Sequence, residues 1–232
     1  MALPSLKWKI VIKRKKSTTF ACRPKAAGFS NMSNNPFNPA EQENSLSNKL
    51  VAGLERISEV FKILLWEKAK IVGLSPIQIQ LLIFVAYHPR RLCNVSHLAK
   101  EFNVTKPTIS DAVKVLNNKG LIEKDFSEAD QRRYSIFLTA LGEELVKETN
   151  QFAAPLQQQV AALSNQEQEA LFGTVSKLIY QFNQVGILEV QRTCYSCKFF
   201  EEKNHGAYCR LLEKALQSKD LRIDCPEFEA SV

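Results

Sequence analysis

Between Asn94 and Thr139 the spacing of apolar residues changes once, and that change limits the folds open to the chain. Val95, Leu98, Ala99 and Phe102 lie at helical intervals behind Asn94, a residue suited to an N-cap. Asn103 and Val104 then make a tight turn. Thr105 caps a second helix with Pro107 in its first turn, where a missing N–H costs little. On that helix Ile109, Ala112, Val113 and Leu116 fall on one face, and Lys106, Pro107, Thr108, Asp111, Lys114 and Asn118 on the other. Gly120 stands where a helix-ending glycine belongs. The pattern predicts a helix-turn-helix, whose second helix offers its N-terminal residues to base edges in the major groove. An ordinary pair of packed helices would show the same spacing, so the residues after Gly120 decide.

There the apolar period shortens to two. Residues 121–126 and 134–138 read as short strands, the second with Tyr134, Ile136 and Leu138 alternating. Ser127 to Arg133 between them is a polar tip that carries Arg132 and Arg133. A recognition helix followed by an arginine-tipped hairpin is a winged helix-turn-helix. The run from Asp130-x-Arg132 to Leu138-Thr139-x-x-Gly142, behind Lys119-Gly120-Leu121-Ile122, resembles the wing signature of the MarR-type bacterial transcription regulators. Leu98-Ala99, Val104-Thr105, Pro107-Thr108 and Ser110 resemble the helix-turn-helix wording of the same family. The resemblance covers residues 46–187. It implies a mainly α fold with a small β-hairpin wing, a DNA-binding lobe over residues 75–139, and long terminal helices that pack against a partner subunit.

The charge lends DNA binding no general support. The chain carries a formal +7, but eight of its 31 Lys and Arg residues lie within residues 1–31, which hold no acidic residue. The remainder has 23 basic against 24 acidic side chains, a net of −1, so any DNA contact has to come from local patches. No run reaches the roughly 18–20 apolar residues of a membrane span. Trp8, Ile10, Val11 and Ile12 are too few for a secretory core, so a cytoplasmic protein with no membrane partner is expected. Residues 1–45, basic at first and then rich in Asn, Pro and Ser, are expected to be a disordered leader and linker. A native start at Met32 is the leading explanation of the basic stretch, with a transit peptide and a DNA-contacting arm as alternatives.

Beyond the linker, Leu50, Leu54, Ile57, Phe61, Leu64 and Leu65 predict a long amphipathic helix to about Ile71. Ser75-Pro76-Ile77-Gln78 opens a buried helix with a capping box, and Pro89 with Arg90 and Arg91 closes it. The two arginines read as solvated charges rather than phosphate contacts. After Thr139, Leu141, Leu145, Phe152, Leu156, Val160 and Leu163 trace a helix that Pro155 should kink or split. A second capping box at Ser164 to Glu167 starts the last helix, with Leu171, Val175, Leu178, Phe182 and Val185 on one face. The outer helices, residues 46–71 and 141–187, exceed what a small winged domain needs to cover itself. A homodimer explains them, because two-fold DNA sites want two readers.

Residues 191–230 differ in composition and hold Cys194, Cys197, Cys209 and Cys225, spaced C-x2-C-x11-C-x15-C. The two-residue gap lets Cys194 and Cys197 turn toward one metal, and the later pair can complete a four-thiolate set. Disulfides are disfavoured in a reducing compartment. The spacing itself fits zinc or iron–sulfur equally. Phe199, Phe200, Tyr208 and Phe228 supply apolar cover. Cys194-x-x-Cys197-x-Phe199, Cys209 and Cys225-Pro226-x-Phe228 resemble the small cluster-binding subunits of certain glycyl-radical enzymes. That resemblance implies a four-iron, four-sulfur cluster, with zinc as runner-up. His205 reads as a loop residue and Cys93 as a core thiol.

The expected function is that of a sequence-specific, homodimeric DNA-binding transcription regulator on a pseudo-palindromic duplex, controlled by the cysteine cluster. Thr105, Lys106, Pro107, Thr108 and Ser110 should seat the recognition helix, while Asp111 and Lys114 are the candidates for base discrimination. The family resemblance implies that Asp130 and Arg132, with Arg133 alongside, hold the wing tip while an arginine enters the minor groove. Arg132→Ala is expected to weaken binding to every duplex and flatten its salt dependence in a gel-shift titration. The resemblance also implies a small aromatic effector between the dimer helices and the DNA-binding lobe. An enzyme is not expected, since His88, His97 and His205 lack catalytic partners at motif spacing. The alternative function is a zinc- or cluster-carrying interaction or electron-transfer protein whose winged domain does not bind DNA.

Overall fold

Most α-helices begin where the sequence supplies a cap, and four of the described ones end at a left-handed residue, Gly73, Asn103, Gly120 or Gly186. The computed structural model describes residues 35–126, 134–203 and 206–231. The chain divides into two compact units, Met1–Ala52 and Gly53–Val232. In the first, α1 (Pro39–Gln42) forms a single helical turn on an Asn38 cap, so the segment read as linker is structured there. Helix α2 runs over Leu46–Val72 and α3 over Pro76–Tyr87. The capping box of α3 is formed, Ser75 N–H donating to Gln78 Oε1 at 2.9 Å. Because α3 is apolar all round it is the central helix, with Ile79, Leu81, Leu82 and Phe84 buried.

Helix α4 (Val95–Glu101) starts on Asn94, whose side chain accepts from His97 N–H at 3.0 Å. Its exit is a Schellman turn. Asn103 adopts φ +51°, and Val104 N–H donates back to the Ala99 carbonyl at 2.9 Å. That turn aims α5 (Lys106–Asn118), capped by Thr105. Helix α5 ends in the same way, with Gly120 at φ +66° and Leu121 N–H donating to the Leu116 carbonyl at 3.0 Å. Strands β1 (Ile122–Phe126) and β2 (Tyr134–Leu138) follow as an antiparallel ribbon, paired from Ile122–Leu138 to Phe126–Tyr134. Ile136 N–H donates to the Cys93 carbonyl at 2.8 Å, which roots the ribbon in the lobe.

Thr139 starts α6 (Ala140–Thr149). Pro155 does split the following run, and α7 (Ala154–Ala161) begins one residue before it. The Ser164–Glu167 capping box opens α8 (Asn165–Gln184). The core gathers Leu65, Ala69, α3, Leu98, Ile109, Val113, Leu116, Ile122, Ile136 and Val146. Each such Leu, Ile, Val or Phe side chain contributes about 1.5–3 kcal/mol by leaving water. Among the described residues no single helix is long and apolar enough to cross a membrane.

The C-terminal segment adds an element that apolar spacing did not reveal. A 3-10 turn over Cys194–Ser196 leads into an antiparallel sheet of β3 (Phe200–Lys203), β4 (Gly206–Cys209) and β5 (Lys214–Leu216). A second 3-10 turn, Ser218–Asp220, packs on α8. Tyr195 lies between Tyr180 of α8 and Phe200, with ring centroids 5.8 and 5.3 Å away.

Candidate nucleic-acid interface and cysteine centre

Helix α5 presents two faces of opposite character. Ile109, Ala112, Val113 and Leu116 are buried in the lobe. Thr105, Lys106, Pro107, Thr108, Ser110, Asp111 and Lys114 are all exposed on the other side. Thr105 serves as cap and as part of that surface, its hydroxyl 2.9 Å from that of Thr108. The face offers two amines, one carboxylate and three hydroxyls, a donor and acceptor mixture suited to phosphate and base edges. Asp130, Arg132 and Arg133 lie outside the described residues. Arg90, read as a solvated charge, pairs with Asp125 of β1 at 2.7 Å and stands over the Phe137 ring at 5.0 Å. It braces the ribbon against the end of α3.

The four cysteines come from separate places and line one cavity. Cys194 opens a 3-10 turn, Cys197 follows it, Cys209 ends β4 and Cys225 belongs to the tail. Phe199, Phe200, Leu211, Leu212 and Leu216 make the apolar wall. Here the sequence expectation needs correction, because Tyr208 and Phe228 are not part of that wall. Tyr208 precedes Cys209 on a strand, and neighbouring strand residues face opposite ways. Phe228 lines a different groove, beside Tyr87, Leu92 and Arg192. Two donors reach the thiols: Arg222 N–H lies 3.2 Å from Cys194 Sγ, and the Arg222 guanidinium 3.6 Å from Cys225 Sγ. Burial pushes the Cys194 and Cys225 thiols above their usual range. The hydroxyls of Thr193 and Ser196, beside the first pair, are buried with no hydrogen-bond partner among the described residues. Among the described residues no three His, Cys, Asp or Glu side chains are grouped to hold a single metal ion. Cys93 is apart from the centre, 1% exposed, its thiol raised to about 11 by burial.

One further constellation escaped the sequence reading. The Arg192 guanidinium grips Glu101 of α4 with two hydrogen bonds, 2.7 and 3.0 Å, and Asp224 with two more, 2.5 and 3.2 Å. His88 Nε2 is 2.7 Å from the same Asp224. Burial works against the carboxylate of Asp224, yet Arg192 and His88 hold its pKa below the ordinary value. The signal available in the sequence was position alone, since Arg192 and Asp224 stand just ahead of Cys194 and Cys225.

A buried helix, a turn, an exposed recognition helix and a two-stranded ribbon rooted in the lobe define a winged helix-turn-helix domain. The comparisons then give the particular kind. Residues 72–133, which span the helix-turn-helix and the first strand of the ribbon, match the model of the MarR family. The S. aureus MepR–DNA complex is similar at 26% identity, over 56% of this chain and 96% of that one, with a TM-score of 0.51. S. aureus MepR in its DNA-binding conformation is similar at 25% identity, over 57% and 98%, also with a TM-score of 0.51. Among curated proteins none matches. The family match ends before the first of the four cysteines.

Proposed function

We propose that this protein is a sequence-specific DNA-binding transcription regulator that acts as a homodimer and carries an iron–sulfur cluster on its four cysteines. The observation that carries the DNA reading is the division of α5, whose apolar face is wholly buried while every polar residue of its first two turns is exposed. The similarity to MepR, a protein solved in complex with DNA, supports the same use of that helix. Lys106 neutralises phosphate, while Asp111, accepting from a base edge such as cytosine N4, and Lys114 discriminate between bases. The dimer is supported by α2, on which Leu54, Ile57, Ile63 and Trp66 are each at least half exposed. A second copy covering that helix would place two recognition helices on one duplex.

Cys194, Cys197, Cys209 and Cys225 would hold the cluster, which when bound supplies a one-electron couple. Four thiols on one apolar cavity, with Arg222 donating toward two of them, support it. The apolar wall around the four thiols and the resemblance to small cluster-binding subunits favour the cluster over zinc, whose four ligands would converge at about 2.3 Å.

The DNA reading is tested with a duplex selected by the full-length protein from a randomised pool. Lys106→Ala is expected to weaken all duplexes alike and to lower the salt slope by about 0.9. Asp111→Ala should instead change the order in which duplexes are preferred. Affinity, slope and ranking all unmoved would remove α5 from the interface.

A further inference from the structure

The chain enters its first and last cysteines along two extended segments that touch side by side. Arg192 and Asp224 form a parallel bridge, Cys225 N–H donates to the Arg192 carbonyl at 3.0 Å, and Cys194 N–H donates to the Arg222 carbonyl at 3.1 Å. The side chains at this crossing are also the ones that reach the DNA-binding lobe. Arg192, its side chain only 11% exposed, joins Asp224 beside Cys225 to Glu101, the last residue of α4. Asp224 joins His88, which ends α3. The guanidinium also stands 5.5 Å over the Phe84 ring, and Phe84 in turn stacks on His88 and meets Phe102 edge-on.

Glu101 occupies a sensitive place. The carbonyls just before it, of Ala99 and Lys100, accept the N–H groups of Val104 and Asn103, which form the turn that aims α5. Any displacement of Glu101 is therefore felt within one residue of the turn. The bidentate geometry fixes direction as well as distance, since a guanidinium fork meets a carboxylate in one plane. Removing one partner of such a half-buried pair leaves the other charge poorly solvated, so the arrangement resists partial breakage.

We infer that Arg192 is a positioning residue that couples occupancy of the cysteine centre to the recognition helix of the same subunit. This rests on the reading of the centre as an iron–sulfur site. When the centre is loaded, Cys194 and Cys225 are tied to one group, the Arg192–Asp224 crossing is held in register, and Glu101 is clamped. When it is stripped, the two segments keep only their own hydrogen bonds and the clamp loosens. The signal travels through the lobe itself, not through the dimer helices. Coupling of this kind is reciprocal, so DNA and the cluster change each other's affinity by the same factor.

The test is hydrogen exchange on the full-length chain, reconstituted anaerobically with ferrous iron and sulfide and compared with the chelator-stripped chain. In the wild type, stripping is expected to speed exchange over residues 101–105 at least ten-fold. Arg192→Met should keep the visible absorption of the cluster while exchange at that turn no longer depends on loading. Glu101→Gln, which keeps the shape of the side chain, should behave alike and guards against a folding defect in the first variant. Loading without any change at residues 101–105, or variants that keep the full wild-type response, overturns the coupling alone. A chain that takes up no iron and sulfide overturns the cluster reading and the coupling with it.

Discussion

Gly142→Ala is expected to destabilise the winged domain by about 3 kcal/mol, the upper range for forcing atoms into a packed site. Gly142 lies in the first turn of α6, three residues after its Thr139 cap. A Cβ there would stand 2.0 Å from the Leu121 carbonyl oxygen and 3.1 Å from its carbon, with Leu138 Cδ2 at 3.4 Å. The obstacle is backbone and cannot rotate away. Nor can it retreat, since the Leu121 carbonyl accepts from Thr139 N–H at 3.2 Å, and Thr139 Oγ1 donates to the Gly120 carbonyl at 2.6 Å while accepting from Gly142 N–H at 3.1 Å. Moving α6 would open the joint between the recognition helix, the ribbon and the helices beyond. Gly173→Ala is the matched control. It lies inside α8 with nothing within 4 Å of an added Cβ, so it should stabilise by about 0.5–1 kcal/mol through helix propensity. Chemical denaturation of both variants reads the opposite signs, and equal midpoints for Gly142→Ala and wild type would refute the close-approach argument.

The contrast between what was legible and what was not follows range along the chain. Asn94, Asn103, Thr105 and Gly120 act within a few residues of themselves, so caps, turn and recognition helix could be placed from spacing alone. The exposed set from Thr105 to Lys114 was legible for the same reason, because a helix face is a local property. Gly142 belonged to a recognisable motif, but its reason is a contact with residue 121. The sheet of β3, β4 and β5 was hidden because strands of three or four residues carry too little alternation to register. That sheet decides which side chains wall the cysteine cavity, and so Tyr208 and Phe228 were misplaced while Leu211, Leu212 and Leu216 went unnoticed. The Arg192–Glu101 pair spans 91 residues and has no signature in either segment. Long-range ion pairs are set by topology, and topology was the part that spacing could not supply.

Cys209→Ser is expected to abolish binding of the proposed iron–sulfur cluster. Its side chain is the one member of the set delivered by the sheet, at the end of β4, while Cys194 and Cys197 come from a turn and Cys225 from the tail. Three thiolates from two ends of the segment would face a gap on the sheet side, and a serine hydroxyl there is a poor substitute for a soft sulfur ligand. Wild-type protein isolated without oxygen should be brown and contain about four iron and four sulfide per chain. Cys209→Ser should be colourless, with iron falling to trace levels. Cys93→Ala separates this from general thiol damage: its sulfur is buried in the lobe, donates toward the His88 and Pro89 carbonyls, and lines no part of the cysteine cavity. That variant should keep its colour even though a small cavity lowers its stability by about 1 kcal/mol. Iron and sulfide analysis with visible absorption decides the matter. One equivalent of zinc and no iron in the wild type would replace the cluster with a single-ion site and would require Cys194, Cys197, Cys209 and Cys225 to close in on one point. A Cys209→Ser protein that stays brown with full iron would show that the fourth ligand lies elsewhere.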